Sequence, residues 1–208
     1  NVISTLLALG QLPADRLETQ AQAFDEKLSL KGKRGISFFV GGSANGYRFS
    51  SEALLTALEH TKSFAHKKEM PFFVTTSRRT SPDIIRLVKR FCEKDPLCKL
   101  LVIPAEKEVP NTVETMLGLS HTALVTEESV SMVSEAIRSG RRVISLSVGN
   151  KPLAGKKRQF QASLKNEGWI QVAHSQELFS TLESIQEKPA KSFMEEDQKI
   201  KERLLTLL

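Results

Sequence analysis

The sequence predicts an α/β fold: a Rossmann-like parallel sheet of about six strands with helices on both faces. Three observations carry this. Short apolar runs bounded by polar residues, the mark of buried strands, alternate with segments of helical period along the 208 residues. Such alternation implies parallel strands joined by right-handed crossovers. Hydrophobic residues make up 40% of the chain, enough to fill a sizeable core.

The elements follow in order. A helix over residues 14–28 carries Leu17, Ala21, Phe24 and Leu28 on one apolar stripe. After a turn at 31–35, the first strand, 36–40, runs into Gly41, Gly42 and Ser43, and a helix over 51–65 follows. The second strand, 72–75, ends in Thr76, Ser77, Arg78, Arg79 and Thr80. Ser81 as cap, Pro82 in the first turn and Asp83 against the dipole then start a helix that buries Ile84, Leu87, Val88 and Phe91. A third strand, 100–103, is stopped by Pro104, and a charged loop leads to a helix over 113–119. The fourth strand, 123–125, a polar turn at 126–129, a helix over 130–139, a left-handed stop at Gly140 and a fifth strand, 143–146, make one βαβ unit. Its helix is predicted to be capped by Ser129 and to be apolar along Met132, Val133, Ala136 and Ile137. The 149–155 loop has the length of a lid or a substrate-facing loop. A basic amphipathic helix over 156–166, a short strand at 169–172, a helix over 176–183 and a charged helix over 193–208 complete the chain. There is no internal repeat.

Composition narrows the partners. The formal charge is +6, which favours anionic ligands or surfaces. Nucleic acid is not expected: the basic runs are scattered, and one Tyr and one Trp do not make a base-stacking platform. No apolar run approaches the ~20 residues of a membrane span. The first residue is not Met, and no basic leader or cleavage site opens the chain, so it reads as a piece of a longer protein with a cytoplasmic address. Cys92 and Cys98 read as free thiols, and His60, His66, His121 and His174 have no metal spacing. No metal and no cofactor are expected.

The candidate site gathers at the carboxyl ends of the strands. The helix beginning at Val130 offers free N–H groups and a positive dipole end, with Ser129 and Ser131 as added donors and Glu135 as an acceptor for a sugar hydroxyl. Gly41 and Gly42 permit a close backbone approach to a phosphate, although the loop is neither a Walker loop nor a full GxGxxG. Arg78, at the end of a strand, suits a two-pronged contact with phosphate or carboxylate. The plainer readings are a crossover helix capped by its serines, an ordinary strand–helix turn, and an arginine engaged in a salt bridge.

Gly41-Gly-Ser43, Tyr47-Arg-Phe49, Thr75-Thr-Ser-Arg-Arg-Thr80, Asn111 and the block Val125-Thr-Glu-Glu-Ser-Val-Ser-Met-Val-Ser-Glu-Ala136 together resemble the mitochondrial-fission-protein-like family. That family includes bacterial proteins labelled nucleoside-diphosphate-sugar epimerase-like. The resemblance spans roughly residues 14–170. It implies the carboxy-terminal half of a glycosyltransferase B-type fold. Residues 1–30 would be a helical segment or linker from an N-terminal domain outside this chain, 31–187 the donor-binding domain and 188–208 a C-terminal helix. It further implies a nucleoside-diphosphate sugar as ligand and substrate rather than cofactor. Gly41, Gly42, Ser43, Thr76, Ser77, Arg78, Ser129, Val130, Ser131 and Met132 would lie around the diphosphate, Glu135 at the ribose, and Ile103 and Pro104 facing the base. Two departures stand out: Glu128 where the family has Asp, and Thr112-Val113 after Asn111 where it has proline and an aromatic. The general base would come from the absent domain, and the catalytic residues stay unassigned. The alternatives are a non-catalytic scaffold, peripheral on the inner, anionic face of a membrane through Lys156, Lys157 and Arg158, and a sugar-nucleotide epimerase.

Overall fold

A computed structural model describes Leu7, Leu12 and residues 14–42 and 47–186. Ser43 and the proposed 188–208 helix lie outside the described residues. The order is α1 (Ala14–Lys27), β1 (Gly35–Val40), α2 (Ser51–Lys67), β2 (Phe72–Thr76), α3 (Pro82–Cys92), β3 (Cys98–Val102) and α4 (Thr112–Gly118). It continues with β4 (Ser120–Thr126), α5 (Val130–Arg138), β5 (Arg142–Ser147), α6 (Gly155–Asn166), β6 (Gln171–His174), a 3-10 turn at Ser175–Glu177 and α7 (Leu178–Gln186).

The six strands form one sheet in the order β3-β2-β1-β4-β5-β6, every neighbouring pair parallel. Side chains of a strand alternate between its faces, and both faces here are covered. Ile36, Phe38, Val40, Phe72, Val74, Leu124 and Ile144 pack against α2, α3 and α7. Phe39, Phe73, Ala123, Val125 and Val143 pack on the other side against α1, α4, α5 and α6. The buried hydroxyls of Ser37 and Ser120, which the apolar layer would otherwise strand, reach the Met116 carbonyl at 2.8 and 2.7 Å. Leu17 and Ala21 of α1 are buried in the second layer.

Several sequence expectations shift. β3 begins at Cys98 rather than 100, and all its residues but the buried Val102 are partly or fully exposed because it is an edge strand. Trp169 and Ile170 are buried but precede β6, so their apolar signal belongs to a plug into the core rather than to the strand. On α3 the fully buried residues are Ile84, Ile85, Val88 and Cys92, with Leu87 and Phe91 on the flank of the core. The predicted 176–183 helix resolves into the 3-10 turn and α7. Ser81 and Ser129 both occupy N-cap positions, yet neither side chain makes a capping bond. Ser50, which the sequence did not single out, does cap α2, accepting from the Ala53 N–H at 3.2 Å. Gly140, at φ +70, is the left-handed stop of α5. The 149–155 loop is not a free lid at its start: Gly149 bridges Phe49, and the Asn150 N–H donates to the Arg48 carbonyl at 2.9 Å. Cys92 and Cys98 are free, with hydrogen bonding to Cys98 and burial holding the Cys92 thiol well above its ordinary pKa. Among the described residues no helix is long and apolar enough to cross a membrane.

Candidate functional site

The strand order reverses between β1 and β4: the chain leaves β1 through α2 toward β2, and leaves β4 through α5 toward β5. In open parallel sheets the crevice at the carboxyl ends beside such a switch point is where ligands bind. Three loops meet there, after β1, β2 and β4.

Glycine allows these loops to interlock. The Gly41 N–H donates to Thr126 Oγ1 at 2.8 Å, and the Gly41 carbonyl accepts from Thr80 Oγ1 at 2.6 Å. Thr80 Oγ1 in turn accepts from the Ser77 N–H at 2.8 Å, tying the β2–α3 loop to the end of β1. A Cβ on Gly41 would lie 1.9 Å from Glu128 Oε1, and one on Gly42 would lie 2.5 Å from the Arg79 carbonyl carbon. Any side chain at either glycine would thus run into protein neighbours, so these positions require glycine for the close packing of the three loops.

The turn after β4 is buried rather than solvated: Glu127, Glu128 and Ser129 are 8%, 3% and 6% exposed. Thr126 Oγ1 donates to Glu128 Oε1 at 3.2 Å, while Glu128 Oε2 has no partner. Burial pushes the Glu128 carboxyl up to about 7, so it keeps its proton through mildly acidic pH and gives it up around neutrality. Glu127 Oε1 accepts from Tyr47 at 3.1 Å and from Ser147 at 2.9 Å, and burial raises this carboxyl too. From α6, Lys157 Nζ donates to the Glu128 carbonyl at 2.7 Å and Gln161 Nε2 to the Glu127 carbonyl at 2.9 Å. Lys157 is therefore committed inward, while Lys156 and Arg158 are exposed.

On one side of this turn lies a cleft of about 550 Å³. One wall is the β2 end and its loop, with Thr76, Ser77 and Arg78; the other is the start of α5, with Ser129, Ser131 and Met132. Pro104, Glu108, Asn111 and Glu114 complete its border. Thr76 is 1% exposed, and its Oγ1 has no hydrogen-bond partner. Arg78 is open to solvent and sits 3.8 Å from an equally open Glu108. The first turn of α5 carries no acidic residue and no side-chain cap, so its positive end faces the cleft uncompensated.

Of the residues singled out from sequence, Thr76, Ser77, Arg78, Ser129, Ser131, Met132 and Pro104 come together around this cleft. Gly41 and Gly42 are buried behind it, Val130 begins α5 without bordering it, and Ile103 is 7% exposed at the margin of the core. Glu135 also stands off the cleft, its carboxyl raised by burial and by the charge of Glu114. Sequence reasoning missed Tyr47, Thr80, Glu127, Glu128 and Gln161 as parts of the site. Adjacent acids in a polar turn read as solvated, and only their position under α6 buries them.

The sequence profile of the mitochondrial fission ELM1 family matches residues 1–204. The chain belongs to that family. Among curated proteins none matches this ELM1-family chain. Solved structures share its fold. A UDP-GlcNAc 2-epimerase from Neisseria meningitidis bound to UDP-GlcNAc is 13% identical, with 95% of this chain and 54% of that chain covered at a TM-score of 0.55. WaaG, a glycosyltransferase involved in lipopolysaccharide biosynthesis, is 15% identical, with 85% and 46% covered at a TM-score of 0.51. The ELM1-family chain thus spans about half the length of each, and its fold resembles one half of a glycosyltransferase B-type architecture.

Proposed function

We propose that this chain is the donor-binding half of a glycosyltransferase-like protein and holds a nucleoside-diphosphate sugar in the cleft between the β2–α3 loop and α5. The observation that carries the reading is a coincidence of two unsatisfied features on one cleft: the uncapped amino terminus of α5 and the buried, unpartnered hydroxyl of Thr76. Both call for an acceptor-rich anion. The diphosphate lies against the backbone of Val130, Ser131 and Met132, with Ser129, Ser131, Thr76 and Ser77 donating. Arg78 swings from Glu108 to the phosphates, supplying the positive charge that a leaving diphosphate requires. Pro104 and the adjacent Ile103 backbone face the base, and Glu135 turns to the ribose. Residues 31–187 form this unit, and residues 1–30 connect it to an acceptor-binding domain that supplies the general base. The fold shared with a protein solved with UDP-GlcNAc supports the choice of ligand class.

Calorimetric titration with UDP, GDP, CDP and ADP tests this. Saturable binding of one diphosphate, weakened about tenfold or more in Arg78→Ala, is expected. Flat traces for all four from folded protein would overturn it. The rival reading, a scaffold on an anionic membrane surface, draws on the exposed Lys156 and Arg158. It predicts co-sedimentation with phosphatidylserine vesicles that is lost in the Lys156→Ala, Arg158→Ala double variant.

A further inference from the structure

A second cleft, of about 590 Å³, opens where β5 and β6 end, and it shares no bordering residue with the first. The turn after β4 separates the two, giving Ser129 to one and Glu127 to the other. Its floor presents acceptors. Both hydrogen bonds to the Glu127 carboxylate, from Tyr47 and Ser147, arrive at Oε1, and no described side chain donates to Oε2. Gln161, 7% exposed, has committed its Nε2 to the Glu127 carbonyl, and its Oε1 is buried without a partner. The rim presents cations: Arg158 and Lys151 are exposed, and neither forms an ion pair among the described residues. His174 stands with them at the same border.

A carboxylate oriented by two donors and an amide oxygen left unpaired are costly to bury unless a donor meets them. Holding Tyr47 in place explains the Oε1 bonds of Glu127 but leaves Gln161 Oε1 without a role. A ligand that satisfies the floor must bring hydroxyl or N–H donors, and one that satisfies the rim must bring negative charge. The volume lies within the range of small-molecule sites and leaves room for a sugar together with its phosphate. We propose that this cleft is a second ligand site, for a phosphorylated sugar, with its hydroxyls donating to Glu127 and Gln161 and its phosphate held by Arg158 and Lys151. The site stands independently of the nucleotide reading, because its probe contains no nucleotide and none of its residues borders the first cleft.

The test is titration of the full chain with glucose 6-phosphate, glucose and inorganic phosphate, followed in amide correlation spectra. Saturable shifts with glucose 6-phosphate at Ser147, Gly149 and Gln176 are expected, with inorganic phosphate about tenfold or more weaker. Glu127→Gln keeps an oxygen for Tyr47 and Ser147 but turns the second acceptor into a donor, and should weaken glucose 6-phosphate by about tenfold or more. Arg158→Ala, at an exposed position, should weaken glucose 6-phosphate to the level of glucose while leaving glucose itself unchanged. Absence of saturation at millimolar glucose 6-phosphate would overturn the proposal. So would equal binding of glucose 6-phosphate and inorganic phosphate, which marks a simple anion patch. If Glu127→Gln fails to fold, the Arg158→Ala comparison decides alone: equal loss for glucose and glucose 6-phosphate, or no loss for either, would overturn it.

Discussion

Replacing Glu128 by glutamine removes a proton that the fold holds unusually tightly. The folded carboxyl titrates at about 7, against an ordinary value of 4.5, because it is 3% exposed and Thr126 supplies its one side-chain donor. With the folded value raised, the folded state binds the proton more tightly than the unfolded chain. The resulting stability is complete below about pH 4.5, declines as the pH rises, and is fully lost above about pH 7. A gap of this size corresponds to about 3 kcal/mol, of which roughly 2 to 3 kcal/mol falls between about pH 5 and about pH 8. Glu128→Gln is neutral throughout and keeps an oxygen for Thr126, so it should lack this component. Urea unfolding of both proteins at the two pH values isolates it, since Glu127 and Glu135, also raised by burial, titrate in both. The wild type should lose about 2 kcal/mol or more relative to the variant on going to the higher pH. Parallel pH profiles for the two proteins would refute the reasoning and mean that Glu128 is charged, with its Oε2 satisfied by solvent.

The other expectations concern the interlocked loops and the core. Gly41→Ala drives a Cβ to 1.9 Å from Glu128 Oε1 and 3.1 Å from Thr126 Oγ1, and should cost about 1–3 kcal/mol in urea unfolding. Thr80→Val removes the 2.6 Å bond to the Gly41 carbonyl and the 2.8 Å bond from the Ser77 N–H; a loss of about 1–3 kcal/mol is expected, with weaker diphosphate binding because the β2–α3 loop is released. Arg78→Ala, at a side chain 76% exposed, should leave the unfolding midpoint nearly unchanged, so that a lost calorimetric signal reports binding alone. Phe38→Ala empties a fully buried position at the centre of the sheet and should cost about 3–5 kcal/mol by the same unfolding assay.

What the sequence determined by itself is local. The apolar runs at 36–40 and 72–75 mark β1 and β2 because strands covered on both faces must be apolar along their length. The spacing of Val133, Ala136 and Ile137 marks the buried side of α5, and Gly140 marks its end, because helical period and a left-handed stop are properties of a few neighbouring residues. Arg78, Ser129 and Ser131 were legible as cleft residues for the same reason: they follow directly on strands whose carboxyl ends a parallel sheet brings to one edge.

Tertiary structure decided the rest. The strand order sets β1 beside β4, and only this brings the Gly41 N–H to Thr126, 85 residues away, and Glu128 over Gly41. Glu127 and Glu128 sit in a turn that local composition marks as solvated; α6, packing from beyond β5, covers it with Lys157 and Gln161. Neither serine at the predicted caps makes its bond, although Ser81 holds the same extended backbone as Ser50, which does cap: the side-chain bond depends on more than the residue type at the cap. Periodicity encodes which face of an element is apolar. It does not encode which distant polar group will meet it, and burial of a charge depends on that partner.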